Sequence, residues 1–262
     1  MVAWFCSLDH IVQALLATLF TWSITALGAA IVFFFKKVNK TVMDMALGLS
    51  AGVMLAATFW SLLSPCIEMA SELEMCSWLV ATIGILLGGV LLFFSDKLYQ
   101  IRNKGENSSK RRSKMLVTSI SMHNIPEGMA IGVAFGSLIY GLEGATLSAA
   151  CMLALGIGLQ NFPEGSAVSL PLRREGYSRK KAFFVGQLSA IVEPIAGVIG
   201  AILVMKVRYL LPYLLAFSAG AMIYVIVEEL IPESQSNNNK TLMAFCTLIG
   251  FCIMMIMDVA LG

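Results

Sequence analysis

Long, unbroken apolar runs dominate the chain, separated by short stretches where charges and amides gather. A membrane-crossing helix needs about 20 mostly apolar residues. Runs of roughly that length fall at Ile11–Phe35, Met45–Leu63, Ser77–Ser95, Met115–Ile139, Ala145–Leu172, Ala182–Met205, Tyr209–Val227 and Thr241–Met257. They predict an all-α integral membrane protein with eight transmembrane helices. The runs are continuously apolar and do not alternate, which argues against a β-barrel. No basic segment precedes the first run, and it is long for a signal peptide, so it reads as a helix. Residues 1–262 read as a single transmembrane domain. The stretch 96–114, rich in Ser, Asn, Lys and Arg, reads as a flexible cytoplasmic loop between helices 3 and 4.

The charges orient these helices. With the N-terminus outside, the inner segments hold sixteen Lys and Arg and the outer ones two, Lys206 and Arg208. The positive-inside rule therefore predicts both termini on the extracytoplasmic side of a cell membrane, plasma or inner. Glu68, Glu72 and Glu74 make the outer loop between helices 2 and 3 acidic. Of the 262 residues, 58% are hydrophobic and 13% charged, too apolar for a soluble enzyme of this size. The net charge of +2 leaves no basic footprint for nucleic acid. Six cysteines occur without a CxxC spacing and read as free apolar residues.

Two segments repeat one pattern. Helix 4 carries His123-Asn124-Ile125-Pro126-Glu127-Gly128, and helix 5 carries Gln160-Asn161-Phe162-Pro163-Glu164-Gly165. Ser50-Ala51-Gly52-Val53-Met54 in helix 2 and Ser218-Ala219-Gly220-Ala221-Met222 in helix 7 form a second, weaker pair. Within each pair the helices run in opposite senses. Inverted-topology repeats of this kind place substrate near the bilayer midplane.

Glu127, Glu164 and Glu193 lie deep in their spans, where a lone charge costs about 2.5–3.5 kcal/mol. No Lys or Arg lies deep enough to pair with them, so a divalent cation is the missing counter-charge. His123 and Glu127 are four residues apart and share a helical face, as do Gln160 and Glu164. Asn124 and Asn161 are ligand candidates too. Pro126 and Pro163 each free a carbonyl and invite a kink. Imidazole with carboxylates suits zinc, iron or manganese; an all-oxygen cage would suit magnesium or calcium.

These residues resemble the ZIP (Zrt/Irt-like protein) metal transporters, in the bacterial or GufA-like branch. The likeness rests on His123-Asn124-x-Pro126-Glu127-Gly128 and Asn161-x-Pro163-Glu164-Gly165. It extends to Ala51-Gly52-Val53-Met54-Leu55, Glu193-Pro194, Gly220-x-Met222 and Glu229-x-x-Pro232. The resemblance implies import of a divalent transition metal into the cytoplasm, with two adjacent metal sites between helices 4, 5 and 6. Carried across, His123, Gln160 and Glu164 would serve one site, with Met54 nearby. Asn124, Glu127, Glu164 and Glu193 would serve the other, with Glu164 bridging. Asn161 stands where some members have aspartate, and the loop between helices 3 and 4 lacks the histidines many members carry.

The expectation is thus a multi-pass carrier, not an enzyme, with no cofactor. Its cargo is Zn²⁺ or a relative such as Fe²⁺, Mn²⁺ or Cd²⁺, and its partners are that ion and the bilayer. Glycine stripes permit a homodimer. A proton-coupled carrier using the glutamates as relays is the main rival. An intramembrane metalloenzyme is disfavoured because no HExxH occurs.

Overall fold

The structure is a computed structural model and describes residues 2–34, 39–102, 108–140, 146–207, 209–236 and 239–261. Among these residues the chain is helical throughout its ordered elements, with no strand. A short helical turn, Val2–Cys6, precedes α1 (His10–Ala30). Next come α2 (Lys40–Ala57), prolonged by a π-helical turn (Thr58–Leu63) into Ser64–Glu72, and α3 (Ser77–Arg102). Then follow α4 (Ser108–Ser137), α5 (Leu147–Arg174), and α6, which is broken into Arg179–Leu188 and Val192–Val207. The last are α7 (Leu211–Val225, prolonged by a π-helical turn, Ile226–Leu230, into Ile231–Ser234) and α8 (Lys240–Leu261).

Short polar residues start these helices. Asp9 caps α1 by accepting from the Ile11 N–H at 2.9 Å, and Asn39 caps α2 through Thr41 at the same distance. Thr146 accepts from Ala149 at the start of α5, and Ser178 from Lys181 at the start of α6. Gly176, with φ of 91°, lets the chain leave α5 and turn at once toward α6.

Among the described residues, six helical spans are long and apolar enough to cross a membrane: His10–Phe34, Lys40–Glu72, Ser77–Leu98, Arg179–Val204, Leu211–Ser234 and Lys240–Ala260. The protein is a multi-pass membrane protein. α4 and α5 are not among the six, because buried amides, hydroxyls and carboxylates lower their apolar character.

The helices sort into two bundles. In one, α1 packs along α5 and α4 along α6; in the other, α2 packs along α8 and α3 along α7. Small residues bring the backbones together. A methyl added at Gly165 would overlap the Thr25 carbonyl, and one at Gly132 that of Gly197. In the second bundle, Gly52 lies against the Thr247 carbonyl and Gly88 against that of Phe217. The bundles meet where α2 packs on α5 and α7 on α4.

Two features differ from the sequence reading. First, residues 96–102 of the expected loop continue α3 and 108–114 begin α4, since lysines and arginines are good helix formers; 103–107 lie outside the described residues. Second, α6 is interrupted at 189–191 where an unbroken span was expected. Pro126 and Pro163 sit inside continuous helices. All six cysteines are unpaired.

Candidate metal centre

The first bundle gathers its polar side chains around α4 and α5. His123, Asn124, Glu127, Gln160, Asn161, Glu164 and Glu193 are all fully buried. One helical turn puts His123 and Glu127 on the same face of α4, with Nε2 to Oε2 at 3.9 Å. The facing helix α5 brings Glu164 Oε2 to 3.2 Å from the same Nε2. Ligand atoms of these three residues all lie within 4.8 Å of one another, close enough for one ion. Gln160, one turn before Glu164, donates its amide to Glu127 Oε1 and so closes the group on one side.

The surroundings are rich in acceptors. Glu127 Oε2, Glu164 Oε1, Gln160 Oε1, Asn124 Oδ1 and His123 Nδ1 are buried and have no hydrogen-bond partner. Orphaned buried acceptors are costly. Among the described residues no lysine or arginine is buried to balance the carboxylates. A cation would satisfy several of these lone pairs together, and imidazole with two carboxylates is a donor set that zinc and its neighbours accept.

The other expected residues make hydrogen bonds of their own or lie buried on α2. Asn124 donates to the Ser189 carbonyl at 3.1 Å and so covers the break in α6. That break starts a new helix whose first turn carries Glu193. Asn161 donates to Glu193 Oε1 at 2.9 Å and Oε2 at 3.0 Å. Thr21, on α1, donates to Glu193 Oε2 as well. Glu193 does not join the three-residue group. Met54 is buried on α2, in the second bundle; Thr58 donates to the Met54 carbonyl at 2.7 Å and to the Met222 sulfur at 3.6 Å.

Sequence reasoning missed Thr21. Its signal was the spacing of Thr18, Thr21 and Thr25, a buried hydroxyl stripe on an otherwise apolar helix. It also did not see that Ser50 donates to the Pro163 carbonyl at 3.2 Å and that Ser218 reaches the His123 carbonyl at 3.5 Å. These two serines, from the repeated helix 2 and helix 7 segments, tie the second bundle to the two site helices.

Fold and site together define a polytopic helical membrane protein with a buried, cation-seeking group between two of its helices. The family model described as ZIP zinc transporter matches residues 102–258, which include every residue of that group. The chain belongs to the ZIP family. It is 37% identical to the human zinc transporter ZIP11, over 97% of this chain and 98% of that protein. It is 32% identical to the zinc transporter GufA of Myxococcus xanthus, over 95% and 98%. It is also 32% identical to the zinc transporter ZIPB of Bordetella bronchiseptica, over 97% and 82%.

Proposed function

We propose that the protein carries divalent transition-metal ions, zinc foremost, across the cell membrane into the cytoplasm. The observation that carries this reading is the buried His123, Glu127 and Glu164 group, which brings two carboxylates and an imidazole together with no buried lysine or arginine among the described residues. In this reading His123 Nε2 and one oxygen from each glutamate ligate the ion, and Gln160 and Asn124 offer their amide oxygens beside it. Neutral amides and carboxylates hold zinc less tightly than thiolates would, so the ion is released as well as bound. The cargo is zinc, with iron, manganese and cadmium as competing ions. No part of this chemistry requires a cofactor.

The carrier has eight membrane crossings, α1 to α8, with both termini outside; the excess of Lys and Arg in the inner segments supports that orientation. α4 and α5 cross as well, their polar residues sheltered by protein rather than lipid. The repeats are inverted. Ser50 and Ser218, Met54 and Met222, Thr25 and Glu193 are each 168 positions apart, and the two π-helical turns follow the same spacing. Contacts repeat in step: Gly52 meets Thr247 and Gly220 meets Ile85, while Gly165 meets Thr25 and Gly128 meets Glu193. All three grouped ligands belong to one bundle, so access alternates by movement of that bundle against the other. The glycine stripes also accommodate a homodimer.

The test is uptake of radioactive zinc into proteoliposomes, with iron, manganese, cadmium and magnesium as competitors. Saturable uptake by the wild type is expected, with its loss in folded Glu127→Ala and Glu164→Ala. Folded wild-type protein that moves no zinc overturns the reading.

A further inference from the structure

The buried carboxylates differ in their hydrogen bonding. Glu127 Oε2 and Glu164 Oε1 have no donor at all. Both oxygens of Glu193 are already taken. Asn161 Nδ2 reaches them at 2.9 and 3.0 Å, and the Thr21 hydroxyl donates to Oε2. Two acceptors lie within reach of the single Thr21 proton: the Thr18 carbonyl at 3.0 Å and the Glu193 carboxylate. The carboxylate is the stronger acceptor. The neighbouring hydroxyls are spent within their own helix, Thr18 on the Ala14 carbonyl at 2.8 Å and Thr25 on that of Thr21 at 3.3 Å.

We infer that Thr21 is a positioning residue. With the Asn161 amide it forms a donor cradle that holds Glu193 away from the ion, so the carrier binds one zinc per chain, at His123, Glu127 and Glu164. This rests on the carrier reading above. The chemistry is one of substitution. An amide N–H and a hydroxyl supply to Glu193 the positive ends that a second cation would otherwise supply. An aspartate at position 161 would bring a second negative charge with no donor, and a cation would again be needed between the two carboxylates. The cradle also joins α1, α5 and α6 through one carboxylate, which keeps the interrupted α6 in register with the helices that carry the zinc ligands.

The test counts zinc in full-length protein purified in detergent, loaded with zinc, dialysed and measured by elemental analysis against protein concentration. The wild type is expected to hold one zinc per chain. Thr21→Ser keeps the hydroxyl and is expected to hold one. Thr21→Val combined with Asn161→Asp removes both donors and adds a carboxylate, and is expected to hold two. Two zinc ions in the wild type overturn the inference, as does a single zinc in the folded double variant. No zinc in folded wild type instead removes the carrier reading itself, so the two failures are distinguishable. Should the double variant not fold, zinc K-edge absorption of Glu193→Gln decides. An unchanged set of ligand atoms supports the cradle, and loss of an oxygen ligand overturns it.

Discussion

The two bundles are built alike and filled differently. Each pairs its helices through small residues that let backbones touch, at Gly132 and Gly165 in one and at Gly52 and Gly88 in the other. All four helices of the second bundle fall within spans apolar enough to cross a membrane, whereas in the first only α1 and α6 do. Buried carboxylates of the second bundle, Asp44 and Asp96, lie toward the ends of α2 and α3. Those of the first, Glu127, Glu164 and Glu193, lie in the middle of their helices or at the break in α6. A bilayer tolerates mid-helix charge only where protein covers it and something balances it. The difference therefore separates a bundle with carboxylates at mid-helix from one whose buried carboxylates lie toward helix ends.

The largest expected effect breaks the contrast at its centre. Glu164→Ala removes the oxygen nearest His123 and should reduce zinc uptake by more than about 100-fold, beyond the roughly 10–100-fold that loss of a supporting partner costs a metal site. Matched substitutions then test whether the two bundles are equally tight. Gly132→Ala and Gly52→Ala each force a methyl onto a carbonyl, and each should lower stability by about 1–3 kcal/mol in detergent thermal unfolding. A large inequality between them would show that one bundle yields more readily than the other.

Smaller effects belong to the supports. Asn124→Ala leaves the Ser189 carbonyl without its donor, at a cost of about 1–3 kcal/mol, and should appear as weakened zinc uptake as well as lowered stability. The smallest effect belongs to the contacts between bundles. Arg174 pairs with Glu233 at 2.9 Å, joining the end of α5 to the end of α7, and both side chains are partly exposed. Arg174→Gln should change stability by about 0–1 kcal/mol. If the bundles move against each other, the same variant should alter the rate of uptake more than the zinc concentration that half-saturates it.

The apolar runs made the helices legible, because the need to satisfy every backbone group in lipid leaves a long apolar segment few alternatives. The relation of His123 to Glu127 was legible too, since a four-residue spacing means one face on any α-helix. Interruptions were not. The break at 189–191 in α6 precedes Pro194, and the π-helical turns of α2 and α7 precede Pro65 and Pro232, but a proline marks a disturbance without saying whether the helix kinks, widens or stops. Among the residues expected to surround metal, His123, Glu127 and Glu164 bring ligand atoms within 4.8 Å of one another. Asn161 donates to both oxygens of Glu193.

By itself the sequence determined a multi-pass helical protein, the repeated motifs, and a set of glutamates deep in apolar runs that hold no lysine or arginine. Each of these follows from hydropathy, spacing or charge, which act along the chain. Tertiary structure alone decided which polar atoms meet. Glu164 reaches His123 across 41 positions, and Thr21 reaches Glu193 across 172. Whether a carboxylate faces an open set of acceptors or a ring of donors depends on how closely α1, α4, α5 and α6 approach. That approach is set where Gly128 lies against the Glu193 backbone and Gly165 against the Thr25 carbonyl. Close backbone contact fixes the rotation of each helix about its axis, and the rotation selects which buried side chains become neighbours.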